Sequence, residues 1–153
     1  MKVYLFGSMT AGRDYASALS IIAKTLEEEG HVIITPFVIQ AGDDFSGRKA
    51  EKSKYIFERD MALIQGCDVA VGEISQPSHG VGYELAELVR AQKSILCLRH
   101  DSLQGRMMSA LIEGNSGLKV LHYNDEQLTE IVNEFMSELK ENKEGSVMKE
   151  REL

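Results

Sequence analysis

The chain has 153 residues, 43% hydrophobic and 27% charged, with 24 acidic against 17 basic side chains and a formal net charge of −7. That length suits one domain with a core of its own, and the acidic balance argues against long nucleic acid as a partner. Cys67 and Cys97 form no disulfide framework and share no metal-ligand spacing with the histidines, while nothing along the chain reads as a signal peptide or a membrane span; a reducing cytoplasm is the expected setting.

Short apolar runs alternate with amphipathic stretches, which predicts a parallel sheet covered by helices on both faces. The expected strands are 2–6, 31–35, 69–73, 94–98 and 118–123. After the first, Leu19, Ile22, Ala23 and Leu26 recur at helical spacing up to a stop at Gly30. A second helix, about 50–65, has Ile56, Phe57, Met61 and Ile64 on its apolar side, and a third, about 82–92, turns Leu85, Leu88 and Val89 to the sheet. A short helical piece at 106–113 follows the fourth strand. The last helix carries Leu128, Ile131, Val132, Phe135 and Leu139 as one stripe, and Asn124 with Gln127 supplies a capping box at its start. The polar segment 40–49 reads equally as an active-site lid or a plain surface connection. The charge-dense segment 141–153 reads as a disordered tail beyond a single domain at 1–140.

The fold expected is therefore α/β and doubly wound, a flavodoxin/Rossmann-like five-stranded parallel sheet of order 2-1-3-4-5. Its ligand crevice opens where strands 1 and 3 diverge. That geometry selects the loops after Phe6 and Glu73, and both are rich in Gly and Ser. In the second, Ser78-His79-Gly80-Val81-Gly82-Tyr83-Glu84 leads from a strand into a helix start, where unpaired N–H groups favour an anion. Gly7, Ser8, Met9, Gly12 and Arg13 of the first loop, and Ser78, Gly80 and Gly82 of the second, are the candidate ligand-binding residues.

Two acids stand out. Glu84 lies one turn inside the helix that follows the second loop; an acid there is also routine on a solvated helix face. Asp60 falls three residues after Phe57 and four before Ile64, on or beside a buried face, so it needs a partner such as Arg13 or a task. Tyr4 shares a strand face with Phe6 and is either core or the phenol partner of a nearby carboxylate. His79 has no nucleophile to serve. The glycine loops lack both the Gly-x-x-x-x-Gly-Lys pattern and the dinucleotide fingerprint, so neither ATP nor NAD is implied, and no metal or other cofactor is expected. A carboxylate pair beside an anion site suits cleavage at an anomeric carbon, with one acid attacking C1 and the other protonating the leaving group. The N-glycosidic bond of a nucleotide fits that chemistry.

The sequence resembles the 2′-deoxynucleoside 5′-phosphate N-hydrolases, relatives of the nucleoside 2-deoxyribosyltransferases. Tyr4-x-x-Gly7-Ser8, Glu58-x-Asp60, Gln76-Pro77-Ser78-x-Gly80-Val81-Gly82-Tyr83-Glu84-Leu85, Lys93-x-Ile95-Leu96-Cys97-Leu98 and Gly105-Arg106-x-x-Ser109-Ala110 carry the resemblance. It implies Glu84 as a nucleophile forming a deoxyribosyl-enzyme intermediate, Asp60 as the acid assisting base departure, and Tyr4 as the hydroxyl orienting the nucleophile. It also implies Ser8, Ser78 and Gly80 as a phosphate cradle, completed by Ser109 from the other subunit of a homodimer. The chain departs from the family at Met9-Thr10-Ala11, where Ile-Arg-Gly is familiar, and at Phe37, where a histidine is familiar. Transfer of deoxyribose to another base, hydrolysis of a ribonucleotide, and non-catalytic nucleotide binding are the alternatives.

Overall fold

A computed structural model describes residues 1–8, 14–39 and 50–151. The expected contacts Met9, Gly12 and Arg13, and the whole segment 40–49, lie outside the described residues. Five parallel strands form one sheet in the order β2-β1-β3-β4-β5, comprising β1 (Lys2–Phe6), β2 (Val32–Ile33), β3 (Val69–Glu73), β4 (Ser94–His100) and β5 (Lys119–Tyr123). Every residue of β3 is buried, as expected of a central parallel strand covered on both faces.

Side-chain alternation divides the core. Val3 and Leu5 of β1 pack with Leu19, Ile22 and Leu26 of α1 (Ala16–Glu28) and with Leu128, Val132 and Phe135 of α5 (Leu128–Arg151). Tyr4 and Phe6 face the other way, toward Ile64 of α2 (Ala50–Gly66) and toward Val81, Leu85 and Leu88 of α3 (His79–Arg90). Gly72 of β3 lies opposite Phe6 in the β1–β3 register, and a Cβ there would run into the Phe6 ring and carbonyl. At the end of α1, Gly30 takes a φ of 75° and the His31 amide returns to the Leu26 carbonyl at 2.9 Å, a left-handed stop that glycine accepts without strain. Asn124 Oδ1 accepts from the Gln127 amide at 3.0 Å and so caps the approach to α5.

Five expectations need correction. β2 is confined to Val32–Ile33, because Thr35 engages β1 through its hydroxyl instead of its backbone. Its Oγ1 accepts from the Leu5 amide at 2.9 Å and donates to the Leu5 carbonyl at 2.7 Å, and Pro36 then opens a short 3-10 turn at Pro36–Val38. Phe57 is not on the apolar face of α2: it is 51% exposed and meets the Tyr83 ring edge-on at 6.1 Å. α3 begins at His79, not near Gly82, because Ser78 adopts an extended conformation and caps it. The helix expected at 106–113 shrinks to α4 (Ala110–Glu113), since Arg99 Nη2 donates to the carbonyls of Arg106 and Met107 at 2.9 and 3.3 Å and holds that stretch as a loop. Finally, α5 continues through Arg151 where a disordered tail was expected. Glu, Lys and Met are strong helix formers, and extending an existing helix avoids the cost of nucleation.

Candidate active site

The sheet and two helices bring together groups far apart in sequence. Tyr4 is buried in β1, and its hydroxyl donates to Glu84 Oε1 at 2.9 Å. Because α3 starts at His79, Glu84 falls at the start of the second helical turn, too far along to be explained as a first-turn acid stabilised by the helix dipole. Asp60 comes from α2, which packs beside α3, and its side chain is 15% exposed. Its partner is Arg59, whose Nε donates to Asp60 Oδ1 at 2.8 Å. The Arg59 guanidinium lies 3.7 Å from the centroid of the Phe37 ring.

These groups act on one another electrostatically. Burial pushes the Glu84 carboxyl up to about 7; the Tyr4 hydrogen bond opposes this, the Asp60 charge adds to it, and the Arg59 charge opposes it. Burial, followed by the charges of Glu84 and Asp60, drives the Tyr4 phenol far above its usual range, so Tyr4 stays protonated and serves as a donor. Among the described residues, the hydrogen bonds to the two acids fall on Glu84 Oε1 and Asp60 Oδ1. The arrangement can present a carboxylate oxygen to an electrophilic carbon with a second carboxyl nearby to exchange a proton.

The Ser/Gly loops frame the adjoining end. Ser8, directly after β1, is 7% exposed, and its Oγ has no hydrogen-bond partner among the described residues. A buried hydroxyl without a partner is costly and marks a place where a polar ligand atom would be satisfied. Ser78 Oγ caps α3 through a long 3.5 Å contact from the Val81 amide. Among the described residues, a Cβ at Gly80 would meet Ser78 Oγ at 3.8 Å and one at Gly82 would meet nothing within 4 Å, so none of them crowds the first turn of α3. Gly7 has a packing role: a Cβ there would come within 2.7 Å of Leu19 Cδ1. His79 is exposed at the first position of α3. Ser109, just before α4, is exposed and makes no side-chain cap bond; among the described residues no hydrogen bond ties it to Glu84.

Sequence reasoning missed three elements of this region. Arg59 was visible only as a cation beside Asp60. Arg99, 7% exposed in β4, fixes the loop that leads to Ser109. Beneath the β3–α3 loop, Glu73 Oε1 accepts from the Ser75 amide at 3.1 Å and from the Tyr123 hydroxyl at 3.2 Å, while Ser75 Oγ accepts from the His100 amide at 2.7 Å. Burial raises the Glu73 carboxyl and the bonds from Ser75 and Tyr123 pull it down. An acid closing an otherwise apolar strand was the one available signal.

Fold and site together define a doubly wound α/β domain with two carboxyls and a phenol at the topological switch point, where proteins of this class bind small ligands. A profile comparison carries this further: the chain belongs to the nucleoside 2-deoxyribosyltransferase family, which matches residues 3–143. It is 33% identical over 145 residues to the 5-hydroxymethyl-dUMP N-hydrolase of Danio rerio, an alignment spanning 93% of this chain and 100% of the relative. With the enzyme of the same name from Mus musculus it shares 36% over 138 residues, spanning 88% and 79%. Among solved structures, the CMP N-glycosidase of Clostridium botulinum has the same fold, with a TM-score of 0.61 at 19% identity over 86% of this chain and 98% of that one.

Proposed function

We propose that the protein hydrolyses the N-glycosidic bond of 2′-deoxynucleoside 5′-monophosphates, releasing free base and 2-deoxyribose 5-phosphate. The observation that carries this reading is the Tyr4–Glu84 hydrogen bond of 2.9 Å at a site that also holds Asp60. A Glu84 carboxylate oxygen attacks C1′ as the C1′–N bond breaks, and the bonding pair leaves with the base. Asp60 passes a proton to the departing base. Water then attacks C1′, Asp60 takes the proton it sheds, and the Glu84–sugar ester opens to regenerate the carboxylate. Tyr4 holds Glu84 by one oxygen so that the other is presented to the sugar. Ser8, Ser78 and the open first turn of α3 receive the 5′-phosphate, and Gly80 and Gly82 permit its approach.

The same reading includes a homodimer in which Ser109 completes the partner's phosphate site. Met107 and Leu111, flanking Ser109, are 98% and 84% exposed, which supports a surface that meets a second copy across a two-fold axis. A cytoplasmic setting agrees with two free, buried cysteines and with the lack, among the described residues, of any helix long and apolar enough to cross a membrane. The test is a panel of deoxy and ribo nucleosides and nucleotides with free base measured. Deoxynucleoside monophosphates should react best, and Glu84→Ala should release no base. The family also favours a second reading, transfer to another base. An added acceptor base separates the two: hydrolysis yields free sugar phosphate, and transfer yields a new nucleoside or nucleotide at its expense.

A further inference from the structure

Arg59 occupies a place that helix geometry alone does not explain. Consecutive helical residues point in different directions and do not ordinarily meet, yet Arg59 Nε reaches Asp60 Oδ1 at 2.8 Å. The same guanidinium lies 3.7 Å over the Phe37 ring, and Phe37 belongs to the turn after β2, outside α2. The cation is thus held between an aromatic face and a carboxylate, with the Arg59 and Asp60 side chains 28% and 15% exposed.

We propose that Arg59, braced on Phe37, is a positioning residue: it grips Asp60 by Oδ1, reserves Oδ2 for proton exchange with the substrate, and sets its positive charge beside the acid pair. The kinetic part of this proposal rests on the N-hydrolase reading above. Among the described residues, the ionisable groups that act on Glu84 are Tyr4 from β1 and Arg59 and Asp60 from α2. Glu58 is turned outward and pairs with Lys54 at 3.6 Å, so it does not compete for Arg59. Arg59 places one positive charge beside the two carboxyls, and its removal makes the Glu84 carboxylate harder to form.

Arg59→Gln, Arg59→Lys and Phe37→Leu test this. In substrate-free protein, the Glu84 carboxyl is followed by carbon-detected NMR titration, with Glu84→Gln identifying its signal. Arg59→Gln should move the Glu84 midpoint upward, and Arg59→Lys, which keeps the charge, should restore most of the shift. In base-release assays Arg59→Gln should lower kcat at least tenfold with KM changed less than threefold, with the larger loss on poorer leaving groups, and should carry the acid limb of the pH profile upward. Phe37→Leu should give a smaller loss that is not additive with Arg59→Gln, because both act through one guanidinium. A folded Arg59→Gln protein whose Glu84 titrates as in the wild type would overturn the charge role. A loss confined to KM, or strict additivity with Phe37→Leu, would overturn the positioning role. If the wild type releases no base from any nucleotide, the N-hydrolase reading fails, and the titration still decides the charge role.

Discussion

Replacing Glu84 by Gln should make the protein more stable at alkaline pH while removing its activity. The side chain keeps its shape, and the amide oxygen can still accept the Tyr4 hydroxyl that now bonds Oε1 at 2.9 Å. What disappears is a carboxyl that burial has pushed from 4.5 up to about 7. Such a group binds its proton more tightly in the folded chain than in the unfolded one. Its contribution to stability is therefore fully present below about 4.5 and is lost as pH rises through about 7. At about 1.4 kcal/mol per unit, the rise sets a ceiling of about 3 kcal/mol on the cost of holding Glu84 ionised in the fold. Urea unfolding of both proteins at about pH 5, 7 and 8.5 measures it. The advantage of Glu84→Gln should be about 1 kcal/mol at the lowest pH, approach that ceiling by about pH 7 and stay there at the highest, with the m-value unchanged. In a thermal melt, the ceiling corresponds to roughly 6–12 °C at alkaline pH for a chain of this size. A stability difference that stays constant across the range, or a variant less stable at pH 8.5, would refute the view that Glu84 is strained by burial.

Tyr4→Phe removes the hydrogen bond that favours ionised Glu84. The acid limb of base release should move to higher pH, and turnover at neutral pH should fall roughly ten- to hundredfold, as expected for loss of one hydrogen bond to a charged group; a pH–rate profile reads both. Ser8→Ala deletes a buried hydroxyl that has no partner among the described residues. Chemical denaturation should show stability unchanged or raised by up to about 1 kcal/mol, while the preference for nucleotide over nucleoside shrinks at least fivefold in kcat/KM. The proposed shared site predicts that mixing inactive Glu84→Ala with Ser109→Ala protein restores part of the base release after subunit exchange, because a heterodimer of that design would contain one pocket with both residues intact. Absence of recovery, with exchange confirmed by mass spectrometry, would show that each subunit builds its own site.

The parts of the fold legible in the sequence were those whose burial is complete. β1 and β3 are continuous apolar runs because a central parallel strand is covered on both faces, and the α5 stripe follows from one helix packing on one sheet face. Edges were less legible. At Thr35 a side chain does the pairing that a backbone would otherwise do, and no apolar pattern records that substitution. Phe57 shows the same difficulty on a helix, because hydrophobicity says that a ring seeks contact without saying which neighbour provides it. Within the site, the strand order alone pointed to the loops after β1 and β3, and the contact between Tyr4 and Glu84 bridges residues 80 positions apart. Arg59 escaped notice because its role depends on a curled side chain and on a ring from a different element, neither of which spacing encodes.

The hydrogen bonds beneath the β3–α3 loop have a consequence for how this site can be altered. The start of that loop is moored through Glu73, Ser75, His100 and Tyr123 and its far end by the Ser78 cap and the buried Val81, while Pro77, His79 and Gly80 are exposed. The stretch therefore behaves as an exchangeable cassette between two fixed ends. Transplanting residues 77–80 from a relative with a different appetite for phosphate should transfer that appetite without refitting the frame, provided the four mooring residues, a capping side chain at 78 and Val81 stay in place.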